Sequence, residues 1–164
     1  MIDIQNSRFN AIKDLIDFSN SPNVKTIIEN DSMKASQGGR NFTFFPVVGS
    51  YKAASNTGLI DNIKDEQLKN NILNLYEHLY VRINYNGEIN DNRYEMVDWE
   101  SRNYIDYTKK ELVFDKRGLL DKDFVNQLGF LNRFVRVYIG RCDDTKLAIE
   151  TTLKEINNYL MVYD

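Results

Sequence analysis

Cysteine and histidine each occur once in the 164 residues, and these two shortages remove several chemistries at the outset. A lone Cys142 allows no intrachain disulfide and no thiolate zinc cluster, while leaving the redox compartment open. His78 is the sole imidazole, and nothing pairs it with Cys142 or with a strained serine elbow, so nucleophilic triads fail on inventory. A Cys/His zinc site needs more ligands than the chain contains. A dominant charge is also lacking: 21 Lys and Arg face 24 Asp and Glu, for a net charge of -3. With no Lys/Arg block, the chain offers a phosphate backbone neither long-range nor local attraction, and nucleic acid is not an expected partner. No apolar run approaches the roughly 20 residues that cross a bilayer. Met1-Ile2-Asp3-Ile4-Gln5 has neither the basic nor the apolar region of a signal peptide, so the sequence read alone is expected to be cytoplasmic.

What is present is apolar patterning. Hydrophobic residues make up 42% of the chain and occur along most of it, enough for one core, so residues 1–164 are expected to form one helical domain. Phe9, Ile12, Leu15 and Ile16 share one side of a 3.6-residue period, which predicts a helix over about 3–19. Ser21 and Pro22 suit a second helix start, with Val24, Ile27 and Ile28 following and an end near Lys34. Residues 35–41, with Gly38-Gly39, lack any apolar period and read as a surface loop. Over 42–58 a short helix is preferred to an edge strand at Phe44-Phe45-Pro46. Asn56-Thr57-Gly58 is its stop, and Leu59 and Ile60 are tucked inward beyond it.

The strongest signal begins at Asp65. Leu68, Ile72, Leu75, Tyr76, Leu79 and Ile83 form an almost uninterrupted stripe, which thins over 84–92 and resumes at Tyr94, Val97, Ile105 and Leu112. Either Asn86-Gly87 turns the chain between two helices of about 20 residues, each about 30 Å long, or one helix runs through. Local chemistry slightly favours a break or bend. Residues 113–120 read as a connection and 121–129 as a short helix. A last helix follows, with Leu131, Phe134, Tyr138, Cys142, Ile149, Leu153, Ile156 and Leu160 on one face and Gly140 inside it. Two such one-sided helices must bury their stripes, so an all-α helical bundle built around them is the expected fold.

Chemistry is harder to find. No Glu-x-x-His pair exists: Tyr80 follows Glu77 by three residues and Asp98 follows Glu95. Glu95, Asp98 and Arg102 share a helical face, as do Asp143 and Lys146, and both groups read as solvated charged surface. Gly38-Gly39 lacks the lysine and hydroxyl of a nucleotide loop. No catalytic residue, cofactor-binding residue or metal ligand is assigned, and no cofactor is expected. Ten tyrosines and nine phenylalanines are the unusual feature. Tyr76, Tyr80, Tyr94, Tyr104 and Tyr138, with Tyr107, are candidates to line a ligand or partner groove, because the ring is apolar and the hydroxyl can anchor. The bland alternative is a tyrosine-rich core with hydroxyls at its rim.

The stretch from Ser50 to Glu77 carries a resemblance through Tyr51, Ser55, Gly58, Leu59, Ile60, Leu68, Ile72 and Tyr76. It resembles the central block of an uncharacterised family of small proteins from Bacteroidota, whose members have an N-terminal membrane-spanning helix followed by a helical soluble region. The resemblance extends over about 9–160, with 50–77 its specific part. It implies a soluble portion on the extracytoplasmic, periplasmic side of the inner membrane, and a membrane association only through an anchor absent from this sequence. It also implies more continuous helix over 65–110 than Asn86-Gly87 suggests. It transfers no activity and no catalytic residue. The expected function is a non-enzymatic extracytoplasmic interaction or structural domain, with a protein partner or self-association at the cell envelope. A small-molecule sensor binding a ligand between helices is the alternative, and a carboxylate-metal enzyme is third.

Overall fold

The computed structural model describes residues 1–22, 33–34, 43–108, 110 and 113–163. The fold is all-α, as the two stripes predict. Helix α1 is Ile2–Ser19, α2 is Gly49–Asn56 and α3 is Glu66–Leu73. A wide π-helical turn, Asn74–Leu79, joins α3 to α4, Tyr80–Ser101. The last helix, α5, is Lys122–Tyr163. Short 3-10 turns lie at Ile60–Asn62, Arg102–Tyr104 and Lys116–Leu120. Two-residue strands β1 (Met33–Lys34) and β2 (Val113–Phe114) pair antiparallel, Met33 opposite Phe114.

Several boundaries follow the residue chemistry. The side chain of Asp65 accepts from the N–H groups of Gln67 and Leu68 and so caps α3. Past α2, Gly58 takes φ +72°, the left-handed conformation that favours glycine, and ends the helix where Asn56-Thr57-Gly58 predicts. Ile60 packs into the core beyond it, but Leu59 is exposed, correcting the expectation that both turn inward. The expected second helix from Ser21 and the loop 35–41 fall outside the described residues over 23–32 and 35–41. Where that helix was to end, Met33–Lys34 is strand instead, paired with a segment some eighty residues away.

Two further expectations are corrected. Asn86-Gly87 does not break the chain, because α4 runs through both residues. Gly129 likewise does not separate a short helix from a long one, and α5 is a single helix of 42 residues.

Contacts divide the chain into two compact units, residues 1–43 with 88–139, and residues 44–87 with 140–164. In the first, Ile12, Val97, Leu119, Phe124, Leu128, Leu131 and Val135 form the buried core, with Phe9, Leu15 and Ile16 of α1 packed against it. Gly118 lies beneath the Tyr104 ring, where a methyl group would sit 2.6 Å from the ring's Cγ, so only glycine fits. In the second, Tyr51, Leu68 and Ile72 are the core, and Ile60, Ile63, Tyr76, Ile156 and Tyr159 pack against them.

The π-helical turn has a geometric consequence in the second unit. Eight residues at the α-helical repeat would rotate Ile83 about 80° away from Leu75. Absorbing one residue in the wide turn reduces this to about 20°, and both side chains are buried.

Candidate functional site

The aromatic residues of the second unit form a ladder built on that wide turn. Tyr51 of α2 stacks on Tyr76, with ring centroids 4.2 Å apart and planes 7° from parallel. Tyr76 meets Tyr80 edge to face at 5.0 Å, and Tyr80 meets Phe44 at 5.9 Å. Spacing along the helix explains the middle contact, since residues four apart face the same way. Tyr51 is buried, and its hydroxyl reaches outward to donate to Glu77 Oε1 at 2.6 Å. Neighbouring His78 is exposed on the same turn. Burial and the Glu77 hydrogen bond push the Tyr51 phenol up to about 12, and burial also raises Tyr80.

Of the five tyrosines singled out by sequence, the structure brings Tyr76 and Tyr80 together. Tyr94, Tyr104 and Tyr138 belong to the other unit, each in its own surroundings. The Arg8 guanidinium lies 4.2 Å from the centre of the Tyr94 ring. Tyr104 donates to Asp121 Oδ2 at 2.6 Å and tilts against Phe124. Tyr138 is 0% exposed. Tyr107, by contrast, is exposed. Asp121 also accepts from the N–H groups of Asp123 and Phe124, so one carboxylate caps α5 and holds Tyr104. Its carboxyl is held below the usual range, first by the Tyr104 hydroxyl, while the same bond and burial raise Tyr104 to about 12.

These two phenols set a pH signature. A tyrosine whose folded pKa exceeds its unfolded value near 10 contributes stability fully below pH 10, and loses it as pH rises through the folded value. Ultraviolet titration of the native protein is expected to show Tyr51 and Tyr104 among the late-ionising phenols, near pH 12. Tyr51→Phe and Tyr104→Phe are each expected to remove one late-titrating group. An unchanged late-titrating amplitude in both phenylalanine variants would refute the two hydrogen bonds.

Sequence reasoning passed over two features. One is the Tyr51–Glu77 pair, which joins elements 26 residues apart and leaves no local mark. The other is Trp99, the only tryptophan, which is 68% exposed on α4 in a shallow, open groove lined only by residues between Asn92 and Arg102. The signal available was its setting in Glu95-Met96-Val97-Asp98-Trp99-Glu100, a large aromatic among carboxylates where a solvated helix face would carry small polar residues.

Groups for metal or redox work are not assembled among the described residues. No group of three or more His, Cys, Asp or Glu is placed to hold a metal ion. Cys142 is buried, which shields the thiol from reagents and partners. None of the described helices is long and apolar enough to cross a membrane. In comparisons with known proteins, residues 1–134 match the sequence profile of a family of unknown function. No curated protein and no solved structure matches the chain.

Proposed function

The chain belongs to DUF6090, a family of unknown function, and from that premise we propose that it is a non-enzymatic protein-interaction module working at the cell envelope. On this reading it is the soluble, extracytoplasmic part of an assembly whose membrane attachment lies elsewhere than in the described helices. The resemblance of residues 50–77 to membrane-anchored proteins supports the location.

One observation carries the interaction role. On the C-terminal part of α5, Leu147, Leu153, Leu160 and Met161 are all exposed. At 100° per residue they fall within one flank about 140° wide. Exposed single leucines are ordinary, but a strip of them along one helix marks a surface that gains free energy when covered. The charges on the flank, Lys146, Glu150 and Lys154, are themselves exposed and leave these apolar side chains uncovered. Lys146 and Glu150 pair at 3.9 Å with both side chains largely exposed, an interaction of about 0.2–1 kcal/mol that a partner can displace.

A chemical crosslinker applied to native membranes, followed by pull-down of the chain, tests the role. A specific protein partner is expected with the wild type and is expected to disappear in the Leu153→Glu, Leu160→Glu double variant, whose side chains lie outside the core. Recovery of the wild type only as free monomer would reject the proposal.

A further inference from the structure

The geometry points to the groove beside Trp99 as a docking site for an arginine-bearing segment of a protein partner. This inference rests on the interaction-module reading but uses a separate surface, so the two can fail separately.

Three observations converge. First, the groove exposes apolar surface of a particular kind: the Trp99 indole, with Met96 partly exposed beside it. A flat π-face next to a flexible thioether accommodates the aliphatic stem and planar head of an arginine side chain. Second, the charge is complementary. Residues 88–102 carry five carboxylates against two guanidiniums. Among them Glu95, one helical turn before Trp99, has no hydrogen-bond or ion-pair partner among the described residues. Glu100 accepts from Gln127 Nε2 at 2.7 Å, which fixes that carboxylate at the groove wall.

Third, the groove already holds a guanidinium of its own. Arg102 lies 5.1 Å from the Trp99 ring centre and donates to Asp98 Oδ2 at 3.2 Å. This is the combination by which an incoming arginine would be recognised, a π-face on one side and a carboxylate on the other. The internal occupant is weakly held, because its side chain is 54% exposed and the carboxylate 39%. Such an exposed pair is worth under about 1 kcal/mol and gives way to a multivalent partner. The other nearby cation, Arg93, lies 4.8 Å from the Phe130 ring and contacts Met96 Sδ at 3.4 Å, so it borders the groove on its Met96 side. A partner's arginine therefore binds between Trp99 and Glu95, and competes with Arg102 for Trp99 and Asp98.

Because Trp99 is the only tryptophan, its emission reports on the groove without labelling. The chain is titrated with oligoarginine, oligolysine and oligoglutamate peptides of equal length. Saturable quenching is expected with oligoarginine, at least about threefold weaker binding with oligolysine, and none with oligoglutamate. Labelled-peptide anisotropy then reads variants. Trp99→Ala and Glu95→Gln are each expected to weaken oligoarginine by about threefold or more. Arg102→Gln is expected to tighten it beyond Arg136→Gln, which removes one exposed positive charge away from the groove. Unchanged Trp99 emission, equal binding of oligoglutamate, or equal effects of Arg102→Gln and Arg136→Gln would each overturn the inference. Loss of the crosslinked partner in the leucine double variant with intact oligoarginine quenching supports both readings. An absent partner with intact quenching rejects only the earlier one.

Discussion

Replacing Tyr138 with alanine is expected to cost roughly 3–5 kcal/mol of stability. Its side chain is 0% exposed inside α5, and alanine would leave a ring-sized void that close-packed neighbours only partly fill. Denaturant unfolding is the measurement, with the midpoint falling and the slope unchanged if the loss is of native packing alone. Tyr138→Phe keeps the ring and is expected to retain most of the stability, which separates packing from the hydroxyl. A groove-lining tyrosine would behave oppositely, with little loss of stability on truncation. A loss below about 1 kcal/mol in Tyr138→Ala would therefore overturn its placement in the core.

Tyr138 also shows how α5 could be read in sequence and where the reading slipped. Buried or half-buried positions run Leu131, Val135, Tyr138, Cys142, Thr145, Ile149, Thr152, Ile156 and Tyr159, alternating steps of four and three. That is a 3.5-residue repeat sustained along the helix. Following apolar identity instead of the repeat leads from Ile149 to Leu153 and Leu160. Yet Leu153 is 56% exposed and Thr152 is 4% exposed. Threonine can occupy such a stripe because its hydroxyl bonds within the helix, as Thr145 does to the Arg141 carbonyl at 2.7 Å. A polar residue in the correct phase thus outweighs an apolar residue out of phase. The two leucines excluded from the stripe, Leu153 and Leu160, belong to the exposed strip on α5.

What was legible elsewhere was local chemistry with one dominant solution. The helix start at Asp65, the left-handed Gly58 and the one-sided α1 each need only a few adjacent residues to be understood. What was hidden depended on distant partners. The pairing of Met33–Lys34 with Val113–Phe114 and the Tyr51–Glu77 hydrogen bond are fixed by contacts far along the chain. The π-helical turn lies between these cases. Its trace in the sequence is a phase slip between Leu75 and Ile83, visible once both are required to be buried. Trp99 escaped for another reason: patterning locates surfaces that hide from water, and a docking residue is conspicuous for failing to hide.

Asn86→Pro is expected to destabilise the chain by about 3 kcal/mol or more. Asn86 lies inside α4, where helical register directs its N–H to the Arg82 carbonyl, and its Nδ2 donates to that same oxygen at 2.8 Å. Proline removes the N–H and drives its ring into the preceding turn, so both hydrogen bonds are lost and the helix kinks. A chain that broke at Asn86-Gly87 would have no register to disrupt there and would lose far less. The comparison variant is Asn86→Ala, which forfeits the side-chain bond but gains helix propensity, and should remain within about 1 kcal/mol of the wild type. Circular dichroism melts of the two variants therefore decide between a through-running helix and a turn. Equal melting of proline and alanine variants would restore the break, whereas a large gap confined to proline requires an uninterrupted backbone across Gly87.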